Sequence, residues 1–189
     1  ALPELVQVAE WQNNRTDVHG QVKTMHTVLT IINDEMRELG NNAPEIYWSV
    51  ENNSLGEAAL VVIQEMDEDK FPGTFLHEPK KKGRQRAIRK GFTTTYKTKI
   101  TACMKMKSWI ESDKMIPLSK NLIRELKTFI AKGKSFEAKT GETDDLVSAT
   151  LLCVRQIQVI SRFEEGYEDL LGSSLDSDDD YSDPLPVIF

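Results

Sequence analysis

The sequence lacks the motifs on which several common kinds of chemistry depend. It has no GxxxxGK[ST] phosphate-binding loop and no GxSxG nucleophile elbow, which argues against a P-loop ATPase site and an α/β-hydrolase site. Its three histidines (His19, His26, His77) show no paired spacing of the kind that binds a metal. Carboxylates are therefore the groups left to carry chemistry.

Cysteines and long apolar runs are scarce as well. The two cysteines, Cys103 and Cys153, lie in apolar helical patterns, which predicts buried free thiols in a reducing, intracellular environment. No window reaches the roughly 18 apolar residues of a membrane span, and the N-terminus has no signal-peptide pattern. We therefore expect a globular chain that does not contact a membrane.

Charge is segregated along the chain, although the net charge is only −6. The segment 79–110 contains eleven Lys and Arg and no acid, whereas 164–183 contains nine Asp and Glu and no base. Without the acidic segment, residues 1–163 carry a net charge of +3. An acidic overall charge is therefore no argument against a nucleic-acid partner.

Hydrophobic periodicity predicts strands that alternate with helices, which is typical of a layered α/β domain. Five helices are predicted. The first covers 21–39, the second begins at a capping box formed by Ser54 and Glu57, and the third covers 93–112. The fourth covers 120–133 after a Ser119 cap, and the fifth runs from about Thr143 to Arg162. Strands or extended runs are predicted at "ELVQVAEW", "EIYWSV", "TFLHE", "KMIPL" and "SFEA". We expect residues 1–163 to form the domain and residues 164–189 to form a disordered acidic tail. The tail ends in "PLPVIF", which either frays or docks on another chain.

Glu51 is the first candidate site residue. It follows "EIYWSV" directly and so lies at the C-terminal end of a predicted buried strand. Such strand ends hold ligands in open α/β sheets. The alternative is a solvent-facing glutamate at the end of a strand.

Asp144 and Asp145 are the second candidate, because they precede an apolar helical pattern. Steps of three and four residues place Asp144 on the same stripe as Val147, Leu151 and Val154, which predicts that Asp144 faces the core. A carboxylate in that position needs a partner or a metal ion. The alternative is that one aspartate caps the helix and the other is solvated. A cap explains one acid but not two.

Converging carboxylates are typical ligands of Mg²⁺ or Mn²⁺, and a pair of such ions could support hydrolysis of a phosphodiester. The first part of the segment 79–110, from Lys80 to Lys90, is called the basic segment below. It would hold the DNA backbone through contacts that do not depend on sequence. The predicted DNA-binding residues are Lys80, Lys81, Lys82, Arg84, Arg86, Arg89 and Lys90. The alternative for this segment is a solvated loop.

Three motifs in this order resemble one family, the C-terminal nuclease domain of the large terminase subunit of tailed bacteriophages, and the myovirus versions in particular. They are "SVENNSLG", "GFTTTYKTKITACMKMKSWIESDKM" and "ELKTFIAKGKSFEAKTGETDDLVSATLL". The resemblance covers residues 5–162. It implies an RNase H-like fold, in which helices flank a mixed β-sheet, and an endonuclease that uses Mg²⁺ or Mn²⁺ to cut concatemeric viral DNA.

The resemblance also implies roles for individual residues. Glu51 matches the second catalytic acid of the family, and Asp144 or Asp145 matches the third, with Asp144 favoured by the stripe. The first catalytic Asp of the family lies on the first strand of the sheet, whereas "ELVQVAEW" resembles the third strand. We therefore expect a chain that is truncated at its N-terminus and is inactive or weakly active alone.

The partners that the resemblance implies are double-stranded DNA, the terminase ATPase domain, the small terminase subunit and the portal protein, in the host cytoplasm. Two alternatives remain open at this point. One is another RNase H-like nuclease of the resolvase type. The other is a non-catalytic module that binds DNA or docks on a partner.

Overall fold

The computed structural model describes residues 5–79, 90–133 and 135–173. Its helices are α1 (Val18–Glu38), α2 (Ser54–Glu65), α3 (Tyr96–Glu111), α4 (Lys120–Thr128) and α5 (Asp145–Ser173). Its strands are β1 (Leu5–Val6), β2 (Tyr47–Trp48), β3 (Thr74–Phe75), β4 (Met115–Ile116), β5 (Phe129–Lys132) and β6 (Ser135–Ala138). The predicted α/β class is therefore confirmed.

The strands of the described residues form three two-stranded sheets. β1 pairs with β4 and β2 pairs with β3, both in parallel, whereas β5 and β6 form an antiparallel hairpin. The strand predicted from "ELVQVAEW" is confirmed only for Leu5 and Val6, which pair with β4, and Val8 beyond them is exposed. The β1–β4 pair brings the first described residues next to the start of α4.

The first hydrophobic core lies between α1, α2 and the β2–β3 pair. Its buried residues are Val22, Leu29, Ile46, Trp48, Ile63 and Phe71. The hydrophobic pattern of α1 predicts a stripe of Met25, Val28, Leu29, Ile32, Met36 and Leu39. Leu29 is buried and Met25 and Met36 are partly buried against this core, but Val28, Ile32 and Leu39 are exposed. The buried stripe is narrow because α1 packs mainly against α2, so only Val22 and Leu29, two turns apart, are fully covered.

The second core lies between α3, α4 and α5. Its buried residues are Ala102, Cys103, Met106, Trp109, Leu122, Leu146, Val147, Leu151 and Val154. The predicted α5 stripe of Val147, Leu151 and Val154 is therefore confirmed. On α3, the hydrophobic pattern predicts one apolar side of Ile100, Cys103, Met104 and Ile110, but Met104 is exposed. A small third cluster of Leu76, Phe92 and Val159 connects the chain after β3 with α5.

α4 is shorter than its hydrophobic pattern predicts. Ser119 caps it as predicted, since its Oγ accepts hydrogen bonds from the N–H groups of Asn121 and Leu122. The helix ends at Thr128, and residues 129–132 form β5 because they pair with β6 across a turn at Gly133, whose φ is +60°. Pairing with another strand thus overrides helical periodicity in this segment.

Two further helix boundaries differ from the predictions. α2 is capped by Asn53 rather than Ser54, because the Asn53 Oδ1 accepts from the N–H of Gly56 at 2.9 Å. α5 continues to Ser173, beyond the predicted end at Arg162, and residues 174–189 lie outside the described part of the chain.

Cys103 is buried as predicted, but Cys153 on α5 is exposed. None of the helices described is long and apolar enough to cross a membrane.

The Leu122→Ala variant tests whether the second core holds the domain together. Leu122 is fully buried, so we expect truncation to leave a cavity and to lower the free energy of unfolding by about 2–5 kcal/mol. Leu118→Ala is the matched control, because Leu118 is exposed just before α4 and its truncation should change stability by less than about 0.5 kcal/mol. Urea denaturation measures both, and equal losses would contradict the assigned core.

Candidate functional site

Glu51 lies three residues beyond β2, where the backbone is held by hydrogen bonds to Phe92. The two residues form an isolated parallel bridge. The Asn52 N–H donates to the Phe92 carbonyl at 2.7 Å, and the Phe92 N–H donates to the Val50 carbonyl at 3.0 Å. The Glu51 side chain is half-buried. Its backbone position is therefore determined by pairing on both sides of the residue.

The start of α2 also determines where Glu51 lies. The Asn53 side chain donates from Nδ2 to the Glu51 Oε2 at 3.0 Å, while its Oδ1 caps the helix at Gly56. A Cβ atom at Gly56 would lie 1.6 Å from the Glu51 carbonyl oxygen. Only glycine permits this close approach, so the first turn of α2 packs directly against Glu51.

The basic segment begins and ends beside Glu51. The Glu78 N–H donates to the Gly91 carbonyl at 3.1 Å, and the Asn52 Nδ2 donates to the Lys90 carbonyl at 3.0 Å. Of the predicted DNA-binding residues, Lys90 is described, whereas the others lie outside the described residues: Lys80, Lys81, Lys82, Arg84, Arg86 and Arg89. Both attachment points of the segment are therefore adjacent to the candidate acid.

His77 supports this attachment through its ring. Its Nδ1 is 3.2 Å from the Gly91 amide nitrogen and accepts that N–H, and the ring packs edge-on against Phe75 at 4.5 Å between centroids. Burial lowers the pKa of His77, the carboxylate of Glu68 raises it, and the ammonium of Lys90 lowers it. The net lowering favours the neutral imidazole, which is the form that can accept at Nδ1.

The structure separates the two aspartates at the start of α5. The Asp144 Oδ2 lies 3.5 Å from the Nζ of Lys99 on α3, and the two side chains are 28% and 20% exposed. Asp145 is exposed, and its Oδ2 accepts a hydrogen bond from the Gln12 Nε2 at 3.2 Å. Asp144 therefore faces α3, as its place on the stripe with Val147 predicts, and Asp145 has a different neighbour.

Glu125 of α4 caps the first backbone N–H groups of α5. Its Oε2 accepts from the N–H groups of Leu146 at 2.8 Å and Val147 at 3.2 Å. Glu125 is only 3% exposed, and these hydrogen bonds, together with the positive end of the helix dipole, compensate the burial of its carboxylate. This finding corrects the interpretation in which Asp144 or Asp145 supplies the cap.

One small cavity connects Glu51 with Lys99. Its volume is about 50 Å³, which is enough for a few water molecules, and its polar walls include Glu51, Lys99, Ser148 and Arg155. Because Lys99 also pairs with Asp144, the two candidate acids Glu51 and Asp144 share a cationic neighbour. The residues that the sequence singled out separately thus meet in one region.

Arg155 of α5 brings a second cation to the cavity. Its Nη2 donates to the Glu78 Oε1 and to the Thr93 carbonyl, each at 3.2 Å, and its guanidinium lies 5.0 Å from the centre of the Phe92 ring. Burial lowers the pKa of Arg155, whereas the carboxylates of Glu78 and then Glu51 raise it. An arginine starts from so high a pKa that the guanidinium remains charged.

The region offers two carboxylates of the kind that bind a hard divalent cation, but no complete set of ligands among the described residues. Carboxylate oxygens such as those of Glu51 and Asp144 are the ligands that Mg²⁺ and Mn²⁺ prefer. Within the described ranges, no group of three or more His, Cys, Asp or Glu side chains that could hold a metal ion comes together. These two acids therefore offer suitable oxygens, and the ammonium of Lys99 is the present partner of Asp144.

Three residues of this region were not predicted from the sequence. Glu125 and Arg155 interrupt apolar stripes next to Leu122 and Val154, and a charged residue in such a position is a signal that sequence reasoning could have used. Lys99 carries no comparable signal, because it is one of eleven bases in the segment 79–110. No protein-family model matches the chain, so these three residues are assigned from geometry.

A comparison of Glu125→Ala with Asp145→Ala tests which carboxylate caps α5. We expect Glu125→Ala to lower the free energy of unfolding by about 2–4 kcal/mol, because two buried N–H groups lose their acceptor. Asp145→Ala removes a charge near the helix N-terminus and an exposed hydrogen bond from Gln12, and should cost about 0.3–1 kcal/mol. Urea denaturation measures both variants, and the reverse order would assign the cap to Asp145.

The pH dependence of stability tests whether His77 is buried as the neutral imidazole. Burial holds the pKa of folded His77 below its usual value of 6.5, so the unfolded chain binds the proton first when the pH falls. The contribution of His77 is therefore complete above that value and is lost as the pH falls through it. We expect the native protein to lose more stability than His77→Gln between about pH 7.5 and about pH 5.5, measured by denaturant unfolding. Parallel curves would contradict the assignment.

Proposed function

We propose that this chain is the nuclease domain of a large terminase subunit, a metal-dependent endonuclease that cuts concatemeric viral DNA during genome packaging. The observation that carries the proposal is the shared surroundings of Glu51 and Asp144. The two acids lie in separate motifs of the resemblance, and Lys99 both lines the cavity with Glu51 and pairs with Asp144. That convergence is what a nuclease site built from these motifs requires.

The proposal extends to the fold and to a further acid. An RNase H-like domain would continue the β2–β3 pair into a larger mixed sheet, and the resemblance implies a first catalytic Asp on another strand of that sheet. Glu51, Asp144 and that aspartate would then hold one or two Mg²⁺ or Mn²⁺ ions, with Asp145 as a neighbour or further ligand. Such ions, when bound, activate water and stabilise the leaving oxygen of a phosphodiester.

The residues of this chain have distinct parts in such a site. Asn53 donates to Glu51 and orients its carboxylate, and the cap from Glu125 holds the first turn of α5, which carries Asp144. Arg155 shares the cavity wall with Glu51 and binds Glu78 just before the basic segment. Glu51 and the start of the segment therefore keep one relative position. These contacts preorganise the two acids relative to a bound DNA strand.

DNA is the proposed substrate because the basic segment is attached beside Glu51. Lys80, Lys81, Lys82, Arg84, Arg86, Arg89 and Lys90 would contact phosphates of the duplex, which gives affinity without sequence readout. In the host cytoplasm the domain would act together with the terminase ATPase domain, the small terminase subunit and the portal protein. These partners follow from the resemblance.

A second candidate function is a non-catalytic module that binds DNA. The observation that favours it is the ion pair between Lys99 and Asp144, since a lysine that satisfies the carboxylate is also what a purely structural site would contain.

A resolvase-type nuclease would use the same acids and differs from the first proposal in substrate rather than in chemistry. Cleavage of linear duplex DNA in preference to branched junctions separates these two nucleases.

The experiment measures Mn²⁺- and Mg²⁺-dependent cleavage of plasmid DNA by the natural polypeptide, with any residues that its gene encodes before Ala1. We expect Glu51→Gln and Asp144→Asn each to lower cleavage at least roughly a hundredfold, because even outer-sphere partners of metal ligands contribute about 10–100-fold. Glu57→Gln is the matched control, since Glu57 is exposed on the first turn of α2, and it should retain full cleavage.

Duplex binding, measured in parallel, decides between the candidates. Both variants are expected to bind DNA at least as well as the native protein, because each removes a negative charge near the DNA. Cleavage that persists unchanged in Glu51→Gln would overturn the assigned role of that residue. Binding without any cleavage by the native polypeptide would favour the non-catalytic module.

A further inference from the structure

The cavity beside Glu51 contains more positive groups than a metal site needs. Lys99 and Arg155 lie in its walls together with the hydroxyl residues Thr94 and Ser148. Ammonium, guanidinium and hydroxyl groups are the side chains that bind phosphate oxygens. Two cations in the wall would weaken a site that held only a divalent cation, whereas they could bind an anionic ligand once a carboxylate partner is neutralised.

Arg155 is rigidly held. It is 8% exposed, and its hydrogen bonds to Glu78, Thr93 and Thr94 use three of the five N–H donors of a guanidinium. The ring of Phe92 packs against the same group. Arg155 therefore contributes a fixed positive charge to the cavity wall, and its position does not depend on a ligand.

Lys99 is held more weakly. Its Nζ lies 3.5 Å from the Asp144 Oδ2, at the long limit of a hydrogen bond, and 5.5 Å from the centre of the Phe129 ring. An ammonium group has three donors on a flexible stem, so it can turn toward a new acceptor in the cavity once the Asp144 carboxylate is neutralised or bound elsewhere.

The charges around the cavity make phosphate binding conditional on Asp144. Three carboxylates (Glu51, Glu78 and Asp144) stand against two cations (Lys99 and Arg155), which gives a net charge of −1. A phosphate would be repelled in this state. Neutralising Asp144 brings the sum to zero and frees the ammonium of Lys99, and a divalent ion on that carboxylate would make the sum positive.

From this geometry we infer that Lys99 and Arg155 form a phosphate-binding subsite, in which Lys99 is held by Asp144 until that carboxylate is occupied and then binds a phosphate oxygen of DNA. The inference rests on the proposed function for the identity of its ligand, a DNA phosphate. It assigns Lys99 a direct contact with the substrate, which neither the motifs nor the basic segment assigns.

The test uses the Asp144→Asn background, because neutralising Asp144 frees Lys99 without a metal ion. Affinity for a short fluorescent DNA duplex is measured by anisotropy in a chelating buffer at several salt concentrations. The full chain with Asp144→Asn is compared with the same chain carrying Lys99→Met as well. We expect the second change to weaken binding roughly tenfold and to reduce the salt slope by about 0.9, the value for one phosphate contact.

Asp144→Asn with Lys107→Met is the matched control. Lys107 lies on the same helix and is largely exposed beside Glu111, so its removal subtracts the same charge outside the cavity. We expect it to change affinity by less than about twofold, since an exposed ion pair contributes little. Equal losses in the Lys99 and Lys107 double variants would overturn the inference, because the effect would then be one of total charge.

Two substitutions of Lys99 that differ in charge distinguish a lost phosphate contact from a loss of folding. In the Asp144→Asn background, Lys99→Arg should retain the affinity and Lys99→Gln should lose it, with thermal unfolding showing that both are folded. Unchanged affinity in Lys99→Gln would overturn the phosphate contact. The assay needs neither metal nor cleavage, so a protein without nuclease activity can still show the Lys99 effect, and an active nuclease can fail to show it.

Discussion

The arrangement of the residues around Glu51 depends on the hydrogen bonds of the buried Arg155 guanidinium. Arg155 belongs to α5, whose apolar stripe packs in the second core, but its partners Glu78 and Thr93 belong to the chain beside Glu51. Arg155 is buried while the Glu78 side chain is 35% exposed, so removing Glu78 would leave a buried guanidinium with one carboxylate partner fewer. The cluster of Leu76, Phe92 and Val159 packs at the same junction, so polar and apolar contacts hold α5 against the Glu51 edge together.

The elements that depend on local pattern could be predicted, and those that depend on distant partners could not. The stripe of α5, the Ser119 cap and the β6 strand follow from residues a few positions apart. The end of α4 does not, because residues 129–132 continue a helical pattern and become a strand only through pairing with β6. The stripe of α1 was predicted too wide for a similar reason, since its sequence does not say how many neighbours cover the helix.

The candidate site shows the same division. The sequence places Glu51 after a strand and Asp144 on an inward stripe, since both inferences use only periodicity and order. It could not decide what caps α5, because Glu125 lies about twenty residues before the N–H groups it accepts from. The sequence does not indicate the partner of Asp144 either. Lys99 is one base among many in the sequence, and only packing of α3 against α5 selects it.

The attachment of the basic segment has a consequence for how this chain can vary. Its two ends are joined to each other between Glu78 and Gly91, and to the Glu51 edge through Phe92. Whatever lies between these ends must leave and return at one place, and lengthening a closed loop costs little, about 0.6 kcal/mol for each doubling. Length and charge between residues 79 and 90 can therefore be changed while Glu51 stays in place. The basic segment and the acid beside its ends can thus be altered independently of each other.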